Sequence, residues 1–173
     1  MKKLLFIVSN FMLFVSFLVA NPLEFKTLSS DFTQTVKNDG SMINYSGNFQ
    51  ATNTHALWKY RSPSPKDIYF SFERVVVIEP DLEQAILTTL KDVPNLTKVM
   101  QNAKKIDENL YDAKFDDILY HLKFKNDLIN TITYTDKLGN EVEINFSNVK
   151  KNINLNDAIF MPQIPANFDI ITQ

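Results

Sequence analysis

The hydrophobic positions fall into three regimes along the chain. Leu4 to Ala20 carries no charge and follows Met1-Lys2-Lys3. A basic start, an apolar run and a small residue before a polar turn form the pattern of a secretory signal peptide. Cleavage after Ala20 is expected, leaving residues 21–173 as one domain. Residues 22–37 then read as a helix. Leu28, Phe32 and Val36 recur at spacing four, and Pro22 suits a first turn. Asn38-Asp39-Gly40 is a stop and turn signal.

From Met42 the period changes to two. Tyr45, Gly47, Phe49 and Ala51 alternate with polar residues, then Ala56, Trp58 and Tyr60, then Ile68, Phe70 and Phe72. Val75 to Ile78 is a β-branched-rich run ended by Glu79-Pro80. These predict four strands of an antiparallel meander. Residues 82–90 fit either class, and strand is the expectation. Residues 94–106 predict a helix with Leu96, Val99, Met100 and Ala103 on one stripe. Alternation returns in Tyr111, Ala113 and Phe115, in Tyr120, Leu122 and Phe124, in Ile132 and Tyr134, and in Val142, Ile144 and Phe146. Asp116-Asp117, Asn126-Asp127 and the loop around Gly139 mark turns. Nine or ten short strands and two helices predict a mainly β fold. Its simplest form is an incomplete antiparallel barrel with helices set into its mouth.

Composition narrows the function. Without Lys2 and Lys3 the balance is 16 basic against 20 acidic side chains, a net charge of −4. Such a surface offers no electrostatic footprint for nucleic acid. The chain has no cysteine, which excludes a disulfide framework, a thiolate metal site, a cysteine nucleophile and acylation of the protein itself. His55 and His121 read as surface or edge residues. No HExxH, GxSxG, SxxK or glycine-rich loop is present. No enzyme and no cofactor is expected. What remains is an excess of aromatic residues. The mature part holds ten phenylalanines, six tyrosines and Trp58. They make either an ordinary core or the lining of an apolar cavity.

At Phe32-Thr33-Gln34-Thr35-Val36 the chain begins to resemble the periplasmic outer-membrane lipoprotein carrier family, LolA. The resemblance continues through Gly47-Asn48-Phe49 and Leu57-Trp58-Lys59-Tyr60-Arg61-Ser62-Pro63. It continues in Pro80-Asp81-Leu82-Glu83-Gln84, the most specific piece, and closes at Phe160-Met161-Pro162-Gln163-Ile164-Pro165. The resemblance implies an incomplete barrel with helices as a lid over an apolar cavity. It implies a monomeric periplasmic carrier. Such a carrier takes acylated lipoproteins from an inner-membrane ABC transporter and passes them to an outer-membrane lipoprotein receptor. Two departures matter: the family's usual arginine before the tryptophan is missing from Gln50-Ala51-Thr52-Asn53, and Ala56 stands where the family often has a bulky aromatic. A lid held by apolar contacts alone is therefore expected.

On strand phase, the expected acyl-chain lining is Phe49, Trp58, Tyr60, Phe70, Phe72, Val76, Ile78, Leu122, Phe124 and Phe146. Leu96, Val99 and Met100 join from the lid helix. A one-residue slip would reverse any of these faces. The alternatives are a periplasmic interaction domain with a filled core, or a general lipid-binding protein without lipoprotein transfer. A connected apolar void beneath helix 94–106 would separate carrier from filled domain.

Overall fold

The computed structural model describes residues 21–72, 74–89 and 96–172. The signal-peptide assignment, and Pro94 and Asn95 of the expected helix, lie outside them. Twelve strands form one sheet. In chain order they are β1 Thr27–Asn38, β2 Ser41–Thr52, β3 Ala56–Ser62, β4 Lys66–Phe70, β5 Arg74–Glu79, β6 Gln84–Thr89, β7 Lys104–Asp107, β8 Leu110–Phe115, β9 Ile118–Lys125, β10 Leu128–Thr135, β11 Glu141–Lys151 and β12 Asp169–Thr172. The order across the sheet is β12-β6-β5-β4-β3-β2-β1-β11-β10-β9-β8-β7. The two halves meet where β1 pairs with β11, and among the described residues only β12 on β6 is parallel. The sheet is strongly curled and open, with β12 and β7 at its edges.

The first expected helix is β1 instead. Leu28, Phe32 and Val36 do share a face, but so do Ser30 and Gln34 between them. Ser30 is buried and Gln34 accepts a hydrogen bond from the Tyr60 hydroxyl at 2.8 Å. Two inward polar residues disguised a period of two as a period of four. β1 also has a ladder partner on both sides, β2 and β11, which outweighs local propensity.

The second expected helix ends earlier than expected. Helix α1 spans Leu96–Gln101. Asn102 N–H donates to the Lys98 carbonyl, and Ala103 N–H to that of Met100. Lys104 to Asp107 then leaves as β7 and pairs with β8 across the turn at Glu108-Asn109. Within 82–90, a 3-10 turn over Pro80–Leu82 precedes β6, so strand is the dominant form there.

The curl separates two cores. The inner face holds the larger one, running from Leu28, Phe32, Phe49 and Trp58 to Leu122, Phe124 and Phe146, with α1 seated on it through Val99 and Met100. The smaller one covers the outer face of β3 to β6. There Leu57, Tyr69, Ile78 and Ala85 pack under Phe160 and its neighbours. Phe160 is delivered by a 3-10 turn whose cap residue Asn156 accepts from the Ala158 N–H at 3.0 Å.

Candidate functional site

The inner face is the candidate site, and strand parity builds it. In β2, Tyr45, Gly47, Phe49 and Ala51 point inward. Phe49 pairs with Trp58 of β3, and Gly47 with Tyr60. The Phe49 and Trp58 ring centroids lie 4.3 Å apart. Phe32 meets the edge of Trp58 at 4.8 Å and of Tyr60 at 5.0 Å. Phe146 of β11 completes the group, 6.1 Å from Phe49 and 6.2 Å from Trp58. Gly47 is required here by close approach. A Cβ built on it would lie 1.9 Å from the Lys59 carbonyl oxygen and 2.9 Å from the Phe32 ring.

Across the interior, β8, β9 and β10 contribute Tyr111, Leu122, Phe124 and Ile132. Tyr111 and Phe124 meet edge to face at 5.0 Å. Val99 and Met100 of α1 are wholly buried against this surface. Val99 and Met100 thus occupy the space directly beneath the described part of α1. The 50–53 stretch carries no arginine. What that stretch does carry is a turn around the Thr52 hydroxyl, which accepts from the His55 N–H at 3.0 Å.

The interior changes character along the strands. One end lies near α1 and is mainly apolar, though Thr97 and Tyr111 are buried there. The opposite end is ringed by tyrosines. Tyr45 and Tyr60 meet edge to face at 5.8 Å, and Tyr120 and Tyr134 lie 4.6 Å apart. Burial raises the Tyr60 phenol well above its ordinary range, helped by the neighbouring Tyr134 and Tyr45. Burial does the same to Tyr134, next to Tyr120 and Asp136. Tyr120 is pushed up to about 12 by burial and by Asp116. These groups are neutral phenols at physiological pH.

Of the thirteen expected lining residues, eight fall together in the inner core: Phe49, Trp58, Phe70, Val99, Met100, Leu122, Phe124 and Phe146. Tyr60 is half-buried against it. Leu96 opens α1, and its side chain lies outside the described part. Three depart. Phe72 lies past the end of β4 and is 73% exposed, with the Lys98 ammonium 5.9 Å from its ring centroid. Val76 and Ile78 are on the opposite face, in the smaller core. The turn after Phe70 sets this slip. Phe70 pairs with Val75, so Val75 and Val77 take the inner face and Val76 and Ile78 the outer one. Phe32, Tyr120 and Tyr134 were missing from the expected lining. Phe32 was hidden by the helical reading of β1. Strand parity from Leu122 and Ile132 does point to Tyr120 and Tyr134.

The histidines lie away from this surface. His121 Nδ1 is 2.8 Å from Asp112 Oδ1 on the exposed face of β8 and β9. His55 sits beside Phe160, ring centroids 5.9 Å apart, and its Nδ1 is 2.9 Å from the Thr54 hydroxyl.

The family model described as outer membrane lipoprotein carrier protein LolA matches residues 24–111. An outer-membrane lipoprotein carrier protein of Campylobacter jejuni is 40% identical over 171 residues, covering 99% of each chain. One from Wolinella succinogenes is 33% identical over 83% of this chain and 86% of its own. In three dimensions the fold resembles an uncharacterized conserved protein from Thermus thermophilus, with a TM-score of 0.55 at 9% identity. That match covers 88% of this chain and 94% of the other. By the family match and the near-full-length identity, this chain belongs to the LolA family of outer-membrane lipoprotein carrier proteins.

Proposed function

We propose that the mature protein is a periplasmic carrier that shields the acyl chains of lipoproteins against the inner face of its sheet. In this reading residues 1–20 are a signal peptide and 21–173 the carrier domain. Cargo arrives from an inner-membrane ABC transporter and leaves to an outer-membrane receptor. The observation that carries the reading is the inner aromatic face roofed by α1, in a chain of this family.

The energetics fit a closed carrier. Lifting α1 exposes Val99 and Met100, at about 1.5–3 kcal/mol for each side chain. A cargo chain gains about 0.8 kcal/mol per buried CH₂, so roughly four to eight methylenes offset that cost. A longer chain opens the lid; an empty carrier keeps it shut. The contacts of Val99 and Met100 with the inner face are apolar. The burial of Val99 and Met100 also favours a second reading, an interaction domain that never opens.

The deciding experiment mixes the purified mature protein with spheroplasts. Lipoproteins appearing in the soluble fraction, bound to it, are the expected result. A soluble fraction free of lipoprotein overturns the carrier reading.

A further inference from the structure

The tyrosine end of the interior holds a cavity of about 220 Å³, lined by Phe115, Ile118, Tyr120, Tyr134 and Leu138. The Asp116–Lys137 ion pair lies at its rim. Pockets for a whole drug-sized ligand run to roughly 300–1,000 Å³, so this one suits a fragment of a larger molecule. Its wall carries an anomaly. Tyr120 is 1% exposed, and its hydroxyl has no hydrogen-bond partner among the described residues. A buried phenol normally finds one, and leaving it unpaired costs stability. The hydroxyl of Tyr60 shows the ordinary case, donating to Gln34 Oε1 at 2.8 Å.

The position of this hydroxyl within the interior gives it a use. Tyr120, Leu122 and Phe124 follow one another inward along β9, and Tyr134 and Ile132 along β10. At about 3.4 Å per residue, Tyr120 stands roughly 13 Å from Phe124. Along β9 and β10 the tract runs from phenols, Tyr120 and Tyr134, to the hydrocarbon side chains of Leu122, Ile132 and Phe124. An acylated molecule has the same polarity: a carbonyl where the chain joins the polar part, then hydrocarbon.

Resting on the carrier reading above, we propose that this cavity binds the ester carbonyl at the neck of the cargo's acyl chains, with the Tyr120 hydroxyl as donor and Tyr134 beside it. The chains then run along β9 and β10 toward α1. Burial keeps the Tyr120 phenol protonated, so it donates at neutral pH. The neck contact sets the direction in which cargo lies. It adds a modest polar preference to binding that is otherwise apolar.

The test uses the mature protein and three probes: a synthetic peptide with an S-(diacyloxypropyl) N-terminal cysteine, its ether-linked analogue of equal chain length, and a diacyl phospholipid. Wild type should prefer the ester peptide over the ether by about fivefold, the weight of one neutral hydrogen bond. Tyr120→Phe should erase that preference by weakening ester binding, leaving ether binding unchanged. Should that variant not fold, Tyr134→Phe is expected to shrink the same preference. No ester preference in wild type, or an equal effect of Tyr120→Phe on both peptides, overturns the neck site while leaving the carrier reading intact. Tighter, Tyr120-dependent binding of the phospholipid overturns the assignment to lipoprotein cargo. Failure of wild type to bind either peptide overturns the carrier reading itself.

Discussion

Gly47 shows how one residue holds the inner face together. It sits opposite Tyr60 on β3 and Phe32 on β1, at a register shift between Ser46 and itself. The missing side chain lets the Lys59 carbonyl and the Phe32 ring close over it. Both obstacles matter differently. A ring edge can tilt, but a backbone carbonyl at 1.9 Å cannot yield without moving β3. Gly47→Ala should therefore cost about 1–3 kcal/mol, the usual toll of overpacking a filled core. The measurement is urea unfolding, with a lower midpoint and an unchanged slope. A midpoint equal to wild type would mean that β2 and β3 are looser at this point than the geometry states. The same residue could have been read in the sequence only as an inward position of a strand. Its need to be glycine comes from a contact with another strand, which periodicity does not carry.

Elements were legible where the chain's own neighbours decide them. The hairpin turns are the clearest case. Asp39-Gly40, Asp116-Asp117 and Asn126-Asp127 all have positive φ at both positions, the two-residue geometry that matches strand twist. Two of the three accept that backbone without glycine. Asp117 sits at φ 63° and its ion pair with Lys114 is fully solvated, so its side chain contributes little. Asp117→Gly should remove left-handed strain and stabilise by about 0.5–1 kcal/mol, seen as a raised thermal midpoint. A lowered midpoint would show that the Asp117 side chain holds the β8–β9 turn. The strands from β2 to β5 and from β8 to β11 were readable for the same local reason. β1 was not, because Ser30 and Gln34 are polar yet inward, and their accommodation depends on β3 and β11. α1 was readable in its stripe but not in its length. Ala103 fits the helical spacing, and only the pairing of Lys104 to Asp107 with β8 stops the helix at Gln101. Val76 and Ile78 went to the wrong face because a turn of one more residue reverses every side chain after it. Of the tyrosine end, only Tyr60 was in the expected lining, because polar-tipped aromatics score as core by pattern. Their grouping appears only when β2 and β3 curl to face β9 and β10.

The whole molecule is tied to its phenols through proton linkage. Tyr60, Tyr69, Tyr120 and Tyr134 are all shifted upward in the folded protein. Burial is the main cause in each case, and at Tyr69 the carboxylate of Asp67 adds to it. In the unfolded chain each would ionise near its ordinary value of about 10. The folded state thus binds more protons above that pH, and stability falls as pH rises. The contribution is fully present below pH ~10 and is lost as pH climbs through the folded values, about 12 for Tyr69 and Tyr120. One unit above the unfolded pKa, each tyrosine withdraws up to about 1.4 kcal/mol, or some 5 kcal/mol for four. That matches the lower end of ordinary domain stability, about 5–15 kcal/mol. Alkaline unfolding is therefore expected between pH ~11 and ~12, with tyrosinate absorbance and loss of β circular dichroism rising together. Tyrosines that titrate one by one near pH ~10 with the sheet intact would refute the coupling. Tyr120→Phe divides the effect into its two parts. It removes one proton from the linkage, so the stability curve should fall less steeply above pH ~10. It also deletes a buried hydroxyl that lacks a partner among the described residues. Below pH ~10 the variant should then be as stable as wild type or up to about 1 kcal/mol more so. A hydroxyl that destabilises the empty protein while strengthening its hold on cargo is what a carrier's binding group should look like. One whose removal costs stability instead would be an ordinary member of the core.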